Sequence, residues 1–387
     1  MDTTAVIMAA GRGRRLAPLT QRRPKPMLPV VDRPVLEYVI EAVADAGIDD
    51  IVLVVGYGQD RIRTYFGDGD DWGVSIRYAT QETQLGTAHA VAQAEDLVDG
   101  SFLVLNGDRI IDPAVVEDVA AGLADATVTM AVTRLEAPGN YGVVTLNGDR
   151  VTGIIEKPTT ETPSEIINAG VYGFPPDVFA VIRDLDQSAD GEYQLPDVIA
   201  EFIGERTVRA VRYEGRWLDV SHLWDLLSVT TTMLDREGGT TAGTVAEGAR
   251  VSDTAHVART ASVGTNAVVG RGSVIGANAR IGPNATVERS VILSDATVDA
   301  GAVLRDCVVG ANATVGPNTT VAGGDATVVM NGAVYESVPL GAAIGDNAQV
   351  GGASAFDSGT IVGDGATIEA GTRVRGTIEA DVEVRRG

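Results

Sequence analysis

The sequence predicts an α/β domain on a mainly parallel mixed sheet, followed by a parallel β-helix of hexapeptide repeats, with residues 1–237 and 238–387 as the two domains. Three observations carry this prediction. The chain has 387 residues, beyond the roughly 250 to 300 at which a single core stops growing. Its first part alternates strand-like apolar runs, Thr4 to Met8, Ile51 to Val55, Phe102 to Leu105 and Val128 to Val132, with helical spacing at Pro34 to Ala46 and Ala88 to Leu97. After a Gly/Thr-rich junction at Arg236 to Gly243, aliphatic residues recur every six positions: Val245, Val251, Val257, Val263, Val269, Ile275, Ile281 and Val287. The period returns at Val298, Leu304, Val309, Val315 and Val321, with one spacing of five, and again at Ile344, Val350, Phe356, Val362, Ile368 and Val374. Such a repeat stacks each inward aliphatic on the next turn of a parallel β-helix. The stretch Ala322 to Gly341 is out of phase and is expected to form a protruding loop.

Composition narrows the functional classes. Hydrophobic residues make up 44% of the chain, without an uninterrupted apolar run long enough to span a membrane. The N-terminus places its apolar stretch before its basic residues, the reverse of a secretory signal, so a cytoplasmic location is expected. The one cysteine, Cys307, excludes an intrachain disulfide and a cysteine-based zinc site, and is expected to pack in a core. A net charge of −23 argues against nucleic-acid and anionic-membrane partners, so anionic substrates must meet local positive charge. Of the 30 basic residues only Lys25 and Lys157 are lysine. Acidic, lysine-poor composition suits a high-salt cytoplasm.

Parallel sheets hold their ligands outside the carboxyl ends of the strands, which directs attention to the segments after Met8 and Leu105. The first contains Gly11 and Gly13, whose backbone N–H groups can approach a phosphate, with arginines alongside. A Gly-x-Gly loop alone is equally a structural turn. The neighbouring segment is more specific: Arg23-Pro24-Lys25-Pro26 presents one lysine rigidly between prolines.

The segment from Ala9 to Val30 closely resembles the nucleotide-binding signature of the sugar-1-phosphate nucleotidylyltransferases. The resemblance continues in order through Gln81 with Leu85-Gly86-Thr87-Ala88, Leu105-Asn106-Gly107-Asp108, Tyr141-Gly142-Val143-Val144, Ile155-Glu156-Lys157-Pro158, Asn168-Ala169-Gly170-Val171-Tyr172 and Trp217-Leu218-Asp219-Val220. It implies a Rossmann-like catalytic domain, a left-handed β-helix, and transfer of a nucleotidyl group from a nucleoside triphosphate to a sugar 1-phosphate. By the same resemblance, Arg15 and Lys25 hold the triphosphate, Lys157 grips the sugar phosphate, and Asp108 and Asp219 ligate Mg²⁺. Gln81, Gly86 and Thr87 would recognise the base, with Met8, Ala9, Ala10 and Gly11 beside them, and Asn106 and Gly107 would also bind substrate. Glu156 and Asn168 would contact the sugar, and Gly142 would offer backbone. The two lysines are a check internal to the chain, because they fall where a compact ammonium suits a tight phosphate pocket better than a planar guanidinium.

Other residues read more plainly. His89 is expected to cap or pack a helix, and Trp217 and Trp224 to lie in the core. His222 departs from the Gly-x-Pro-Trp that the family often shows after the aspartate. Ala-Ala-Gly at 9 to 11 resembles the UTP and dTTP users more than guanylyltransferases, while Pro26 replaces a glutamine found in thymidylyltransferases; glucose 1-phosphate with UTP or dTTP is the expected pair. Relatives with both domains trimerise through the β-helix, so a homo-oligomer, a trimer or a multiple of three, is expected. In bifunctional relatives the β-helix also transfers an acetyl group with a histidine base, and Pro339 to Asn347 resembles one of their repeats. Here only His256 lies in the repeats, which favours a structural or regulatory role. Glucosamine-1-phosphate acetyltransferase with uridylyltransferase activity, mannose-1-phosphate guanylyltransferase and a non-catalytic regulatory subunit remain the alternatives.

Overall fold

In the computed structural model, which describes residues 3–123, 127–158, 164–188 and 191–386, the β-branched runs of the N-terminal part form one nine-stranded sheet. Its strands are β1 (Thr4–Met8), β2 (Asp50–Val55), β3 (Ser75–Thr80), β4 (Phe102–Asn106), and, past the short β5 (Arg109–Ile111), β6 (Val128–Arg134), β7 (Gly142–Asn147), β8 (Arg150–Glu156), β9 (Ile166–Phe174) and β10 (Val208–Arg212). β11 (Trp217–Asp219) pairs with β5 in a separate ribbon. The order β3–β2–β1–β4 is parallel throughout. It continues as β9–β6–β10–β8–β7, antiparallel except where β10 lies beside β6. The sheet is therefore mixed, with its parallel block at the strand ends singled out by the sequence.

Both faces of the sheet are covered, which is why its central strands read as continuous apolar runs. Alternation along β1 sends Ala5 and Ile7 to one core, with α1 (Val35–Asp45) and α4 (Pro113–Gly122). Val6 points to the other core, shared by α3 (Thr87–Ala92), α5 (Val178–Asp184) and α6 (Leu195–Glu205). The helical stretch expected from Ala88 to Leu97 divides into α3 and a 3₁₀ turn at Glu95–Leu97. No described helix is long and apolar enough to cross a membrane.

The chain divides into two compact units: Met1–Arg12, Pro24–Met27 and Pro34–Asp219 form the first, and Gly13–Arg23, Leu28–Arg33 and Val220–Gly387 the second. The second contains the repeats, as three parallel sheets of eight, seven and seven very short strands. Stacking follows the period, with Val263, Ile281, Val298, Val315, Val350 and Ile368 in register from turn to turn. Nearly every predicted inward aliphatic belongs to one buried core. Val245, 36% exposed, is the exception, and Val251 is only partly buried. Ile292 also belongs to this core, so the first two runs are one continuous ladder with a shortened turn. Corners are turned by Asn266, Asn278, Asn284, Asn312, Asn318 and Asn347 at positive φ, a conformation whose short amide side chain makes it accessible and which explains the asparagine-rich texture.

The expected loop from Ala322 to Gly341 is instead an antiparallel hairpin, Asp325–Met330 with Ala333–Pro339. Asn331 and Gly332 both take positive φ at its turn, the pairing that a tight hairpin requires. Tyr335 on this hairpin packs against Trp224 and, edge-on, against His222. His222 and Asp225 form a capping box at the start of α7 (Leu223–Glu237), and the imidazole stacks on Trp224 at 4.6 Å. The departure from the family pattern at His222 thus serves a helix start. Cys307 is buried, its thiol pushed up to about 12 by burial.

Two aspartates occupy equivalent corners one turn apart. Asp346 and Asp364 are 5% and 2% exposed, and burial, then the charge of Asp346, raises Asp364 to about 6 against the pull of Arg22 and Arg23. A folded pKa above the ordinary carboxylate value means that the folded state binds this proton more tightly, so ionisation costs stability above about pH 6 and that cost fades as pH falls toward about 4. Asp364→Asn should therefore melt above the wild type at about pH 8, the gap closing between about pH 6 and pH 4. Thermal melts across that range check this; a gap independent of pH would refute it.

Candidate active site

Adjacent parallel strands β1 and β4 end side by side at Met8 and Asn106. The Gly107 N–H donates to the Met8 carbonyl at 3.0 Å, and a Cβ at 107 would stand 2.7 Å from that oxygen, so only glycine allows the approach. Asp108 follows directly. In the β5/β11 ribbon Asp219 is the register partner of Arg109. Lys25, in a 3₁₀ turn at Lys25–Met27, completes the group: its Nζ lies 2.5 Å from Asp108 Oδ2 and 3.8 Å from Asp219 Oδ1.

Arg109 joins the same carboxylates. Its Nε is 3.9 Å from Asp108 Oδ1 and its Nη1 pairs with Asp219 Oδ1. The guanidinium lies over Trp217 at 5.0 Å and Tyr141 at 5.6 Å. Tyr141 donates its hydroxyl to Asp219 Oδ2 at 3.1 Å, and the Trp217 indole donates to the Ala169 carbonyl at 2.9 Å. Sequence reasoning missed Arg109; Trp217, expected in the core, is half-buried, packing against a core on one side and walling the carboxylate pair on the other. The adjacency of Arg109 to Asp108, with strand alternation broken by only a two-residue turn, was the available signal.

A second cluster forms where β7 and β8 pair. Register sets Gly142 opposite Glu156, and a Cβ at 142 would come within 2.9 Å of Glu156 Oε2 and 3.6 Å of the Asn168 Cβ. Glycine here leaves room at the two polar side chains. Asn168 is oriented by donating to the Tyr172 hydroxyl at 2.6 Å and accepting from Gly170 N–H at 3.0 Å. Lys157 takes a φ of 41° and extends an exposed side chain whose Nζ is 3.3 Å from Glu156 Oε1.

The third group lies along the other edge of β1. Ala9 N–H donates to the Val54 carbonyl, and Gln84 donates to the Ala10 carbonyl at 2.8 Å. Buried Gln81 donates to the Gly86 carbonyl at 3.0 Å and lies 2.9 Å from His89 Nδ1. Burial lowers the His89 pKa, in keeping with a packing role. Thr87 uses its hydroxyl elsewhere, donating to Gln194 Oε1 at 3.1 Å and accepting from the Leu195 N–H at the start of α6. Gly11 is exposed, with open space where a Cβ would stand.

Arg15 belongs to the second unit, in a 3₁₀ turn at Arg14–Leu16. Among the described residues it pairs with no carboxylate. Asp108 and Asp219 form a two-carboxylate set, and no group of three His, Cys, Asp or Glu able to hold a metal exists among the described residues. Two oxygen donors already attracting an ammonium and a guanidinium fit a hard cation that fills its remaining positions with water or phosphate oxygen.

Comparison with known proteins agrees with this layout. The nucleotidyl transferase family model matches residues 4–236, a GMPPB C-terminal domain model residues 251–339, and a hexapeptide repeat of succinyl-transferase residues 341–374. The chain is 36% identical over 234 residues to the bifunctional protein GlmU of Methanococcus maripaludis, covering 60% of this chain and 54% of that one; it thus spans about half the length of such relatives. It is 35% identical to the low-salt glycan biosynthesis nucleotidyltransferase Agl11 of Haloferax volcanii, over 64% of this chain and 70% of the relative. The UTP–glucose-1-phosphate uridylyltransferase AglF of the same organism is 36% identical, over 56% and 91%. Among solved structures, a putative glucose-1-phosphate thymidylyltransferase from Bacillus anthracis superposes with a TM-score of 0.56 at 25% identity, covering 59% of this chain and 94% of that one.

Removing a cation from a carboxylate as buried as Asp219 is costly, since the charge left behind cannot regain water. Arg109→Ala should lose about 3 to 5 kcal/mol of stability, and millimolar Mg²⁺ should recover part of it by binding the folded state. Melts with and without the cation test this, and a melting point insensitive to Mg²⁺ counts against the carboxylates as its ligands.

Proposed function

The chain belongs to the nucleotidyl transferase family, and we propose that it joins a nucleoside triphosphate to a sugar 1-phosphate, yielding a nucleoside diphosphate sugar and pyrophosphate. The observation that carries this reading is Lys25 standing between Asp108 and Asp219, three residues brought from separate segments to the ends of one parallel block.

In the proposed step a phosphate oxygen of the sugar 1-phosphate bonds to the α-phosphorus. The bond from that phosphorus to the oxygen bridging to the β-phosphate breaks in line, its electrons leaving with pyrophosphate, and no covalent enzyme intermediate forms. Chemistry of this kind is governed by positioning and charge neutralisation. Lys25 and Arg15 hold the triphosphate, and exposed Lys157 receives the sugar phosphate. Glu156 accepts hydrogen bonds from sugar hydroxyls, Asn168 contacts the same ring, and Gly142 leaves the space for it. A Mg²⁺ held by Asp108 and Asp219 would neutralise phosphate oxygens at the reacting centre when bound. Met8, Ala9, Ala10 and Gly11 flank the nucleotide with Gln81, Gly86, Asn106 and Gly107. Thr87 acts there through its backbone, since its hydroxyl is engaged with Gln194 and Leu195.

UTP or dTTP with glucose 1-phosphate is the proposed pair, supported by the names of AglF and of the Bacillus anthracis structure. Residues 1–237 would be the catalytic domain, and 238–387 an assembly domain that makes the cytoplasmic enzyme a trimer or a multiple of three. Acetyl transfer gains no support from His256, which is 8% exposed, lies 3.6 Å from Asp32 and has its pKa lowered chiefly by burial.

Pyrophosphate release over four triphosphates and several sugar 1-phosphates tests the pair; exclusive use of GTP with mannose 1-phosphate would overturn it. Lys25→Arg should lower kcat by about a hundredfold or more while the protein stays folded, and unchanged turnover would sink the role given to Lys25. Sedimentation equilibrium should give a mass that is a multiple of three chains, and a monomer or dimer would refute the assembly.

A further inference from the structure

The signature segment carries an unusual density of positive charge: five arginines and one lysine lie between Arg12 and Lys25. Their environments differ. Arg12, Arg14 and Arg15 pair with no carboxylate among the described residues, and Arg12 rests over the Tyr57 ring at 4.8 Å. The last two arginines are held by the β-helix. Arg23, 8% exposed, donates from Nη2 to Asp346 Oδ2 at 2.6 Å, in a pair buried on both sides. Arg22 Nε lies 3.5 Å from Asp364 Oδ2.

The acceptors are built into successive turns of the helix. Asp346 Oδ1 accepts from the Ala311 N–H at 2.8 Å, and the Asp346 N–H donates to Asp364 Oδ1 at 2.9 Å. One oxygen of Asp346 is thus fixed to the preceding turn, and the other is aimed at Arg23. Asp364, its pKa raised by burial and by the charge of Asp346, faces Arg22 from the next corner as Asp346 faces Arg23. Gly13–Arg23, although it lies early in the chain, belongs to the same compact unit as the repeats, with Leu16, Leu19 and Thr20 buried.

The geometry points to Asp346 as a positioning residue for nucleotide binding: through Arg23 the β-helix fixes the far end of the phosphate-binding segment Gly13–Arg23, and with it the placement of Arg14 and Arg15. This assigns the repeats a part in the transfer reaction besides assembly, and it rests on the nucleotidyl transfer proposed above. A segment that carries this much like charge without regular structure is otherwise poorly ordered. Neutralising Arg22 and Arg23 from the β-helix orders it while leaving Arg12, Arg14 and Arg15 available to phosphate.

The test uses the full chain with Asp346→Asn, which keeps the acceptor for Ala311 and removes the charge facing Arg23, and with Arg23→Gln. Hydrogen exchange should rise in residues 13–27 of each variant and stay unchanged in the repeats at 342–378. The KM for the triphosphate should rise about tenfold or more while that for the sugar 1-phosphate is unchanged, and the double variant should be no worse than either single one. Unchanged exchange in residues 13–27, or an equal loss toward both substrates, would overturn the inference. If the wild type releases no pyrophosphate with any substrate pair, the proposed reaction fails, and the exchange measurement alone then decides whether Asp346 orders the segment.

Discussion

Asp219 is the constraint on which the rest of the site depends. Its side chain is 3% exposed, and a carboxylate removed from water must find positive charge and hydrogen-bond donors or give up its ionisation. It finds them in Lys25, Arg109 and Tyr141. Each comes from a different part of the chain, so satisfying one charge fixes the relative positions of the Lys25 turn, the β5/β11 ribbon and the start of β7. Asp108 is less buried, at 25% side-chain exposure, and shares the same cations. The pair thus differs in environment, one acid set deep within a ring of donors and the other more open to solvent.

The sheet supplies the platform for this arrangement. Parallel pairing of β1 with both β2 and β4 brings the turn after Met8 beside the turn after Asn106, and the Gly107 N–H closes the gap to Met8. Antiparallel pairing of β9 with β4 then brings Asn168 and Ala169, on the same strand, toward the cluster of Gly142 and Glu156. The mixed topology is what makes this convergence possible. A wholly parallel sheet would place helices where β7 and β8 instead deliver Gly142 and Glu156 as register partners.

How much of this was legible depended on range. Hexapeptide periodicity is a local signal repeated many times, so the β-helix core could be read residue by residue, and Val245 failed only because the first turn has no neighbour beyond it. The motif residues Gly142, Glu156 and Asn168 were found as separate matches and do converge. Arg109 was not found, because its meaning lies in β5/β11 pairing, which joins residues more than a hundred positions apart and leaves no periodic trace. Thr87 reads as a site residue from its motif, yet its hydroxyl is drawn off by Gln194, a contact no local pattern encodes. The hairpin at 325–339 is the opposite case: Asn331-Gly332 between alternating apolar residues was visible, but the break in the six-residue period dominated the reading.

Charge distribution ties these elements together. In a chain with a net charge of −23, Arg12, Arg14 and Arg15, which pair with no carboxylate among the described residues, are concentrated in one short segment, the one proposed to meet a polyanionic substrate. Long-range repulsion of such a substrate by the surrounding acid is screened within about 8 to 10 Å at physiological salt, and over a still shorter distance at higher salt. Local geometry then decides recognition. That favours rigid presentation of a few cations over many mobile ones. The chain uses ammonium groups at only two positions, and it sets Lys25 between prolines, two residues from a buried arginine–aspartate pair. An ammonium is a point charge with no planar preference, so the direction it faces must come from the backbone that carries it, and it is this backbone that Pro24 and Pro26 restrain.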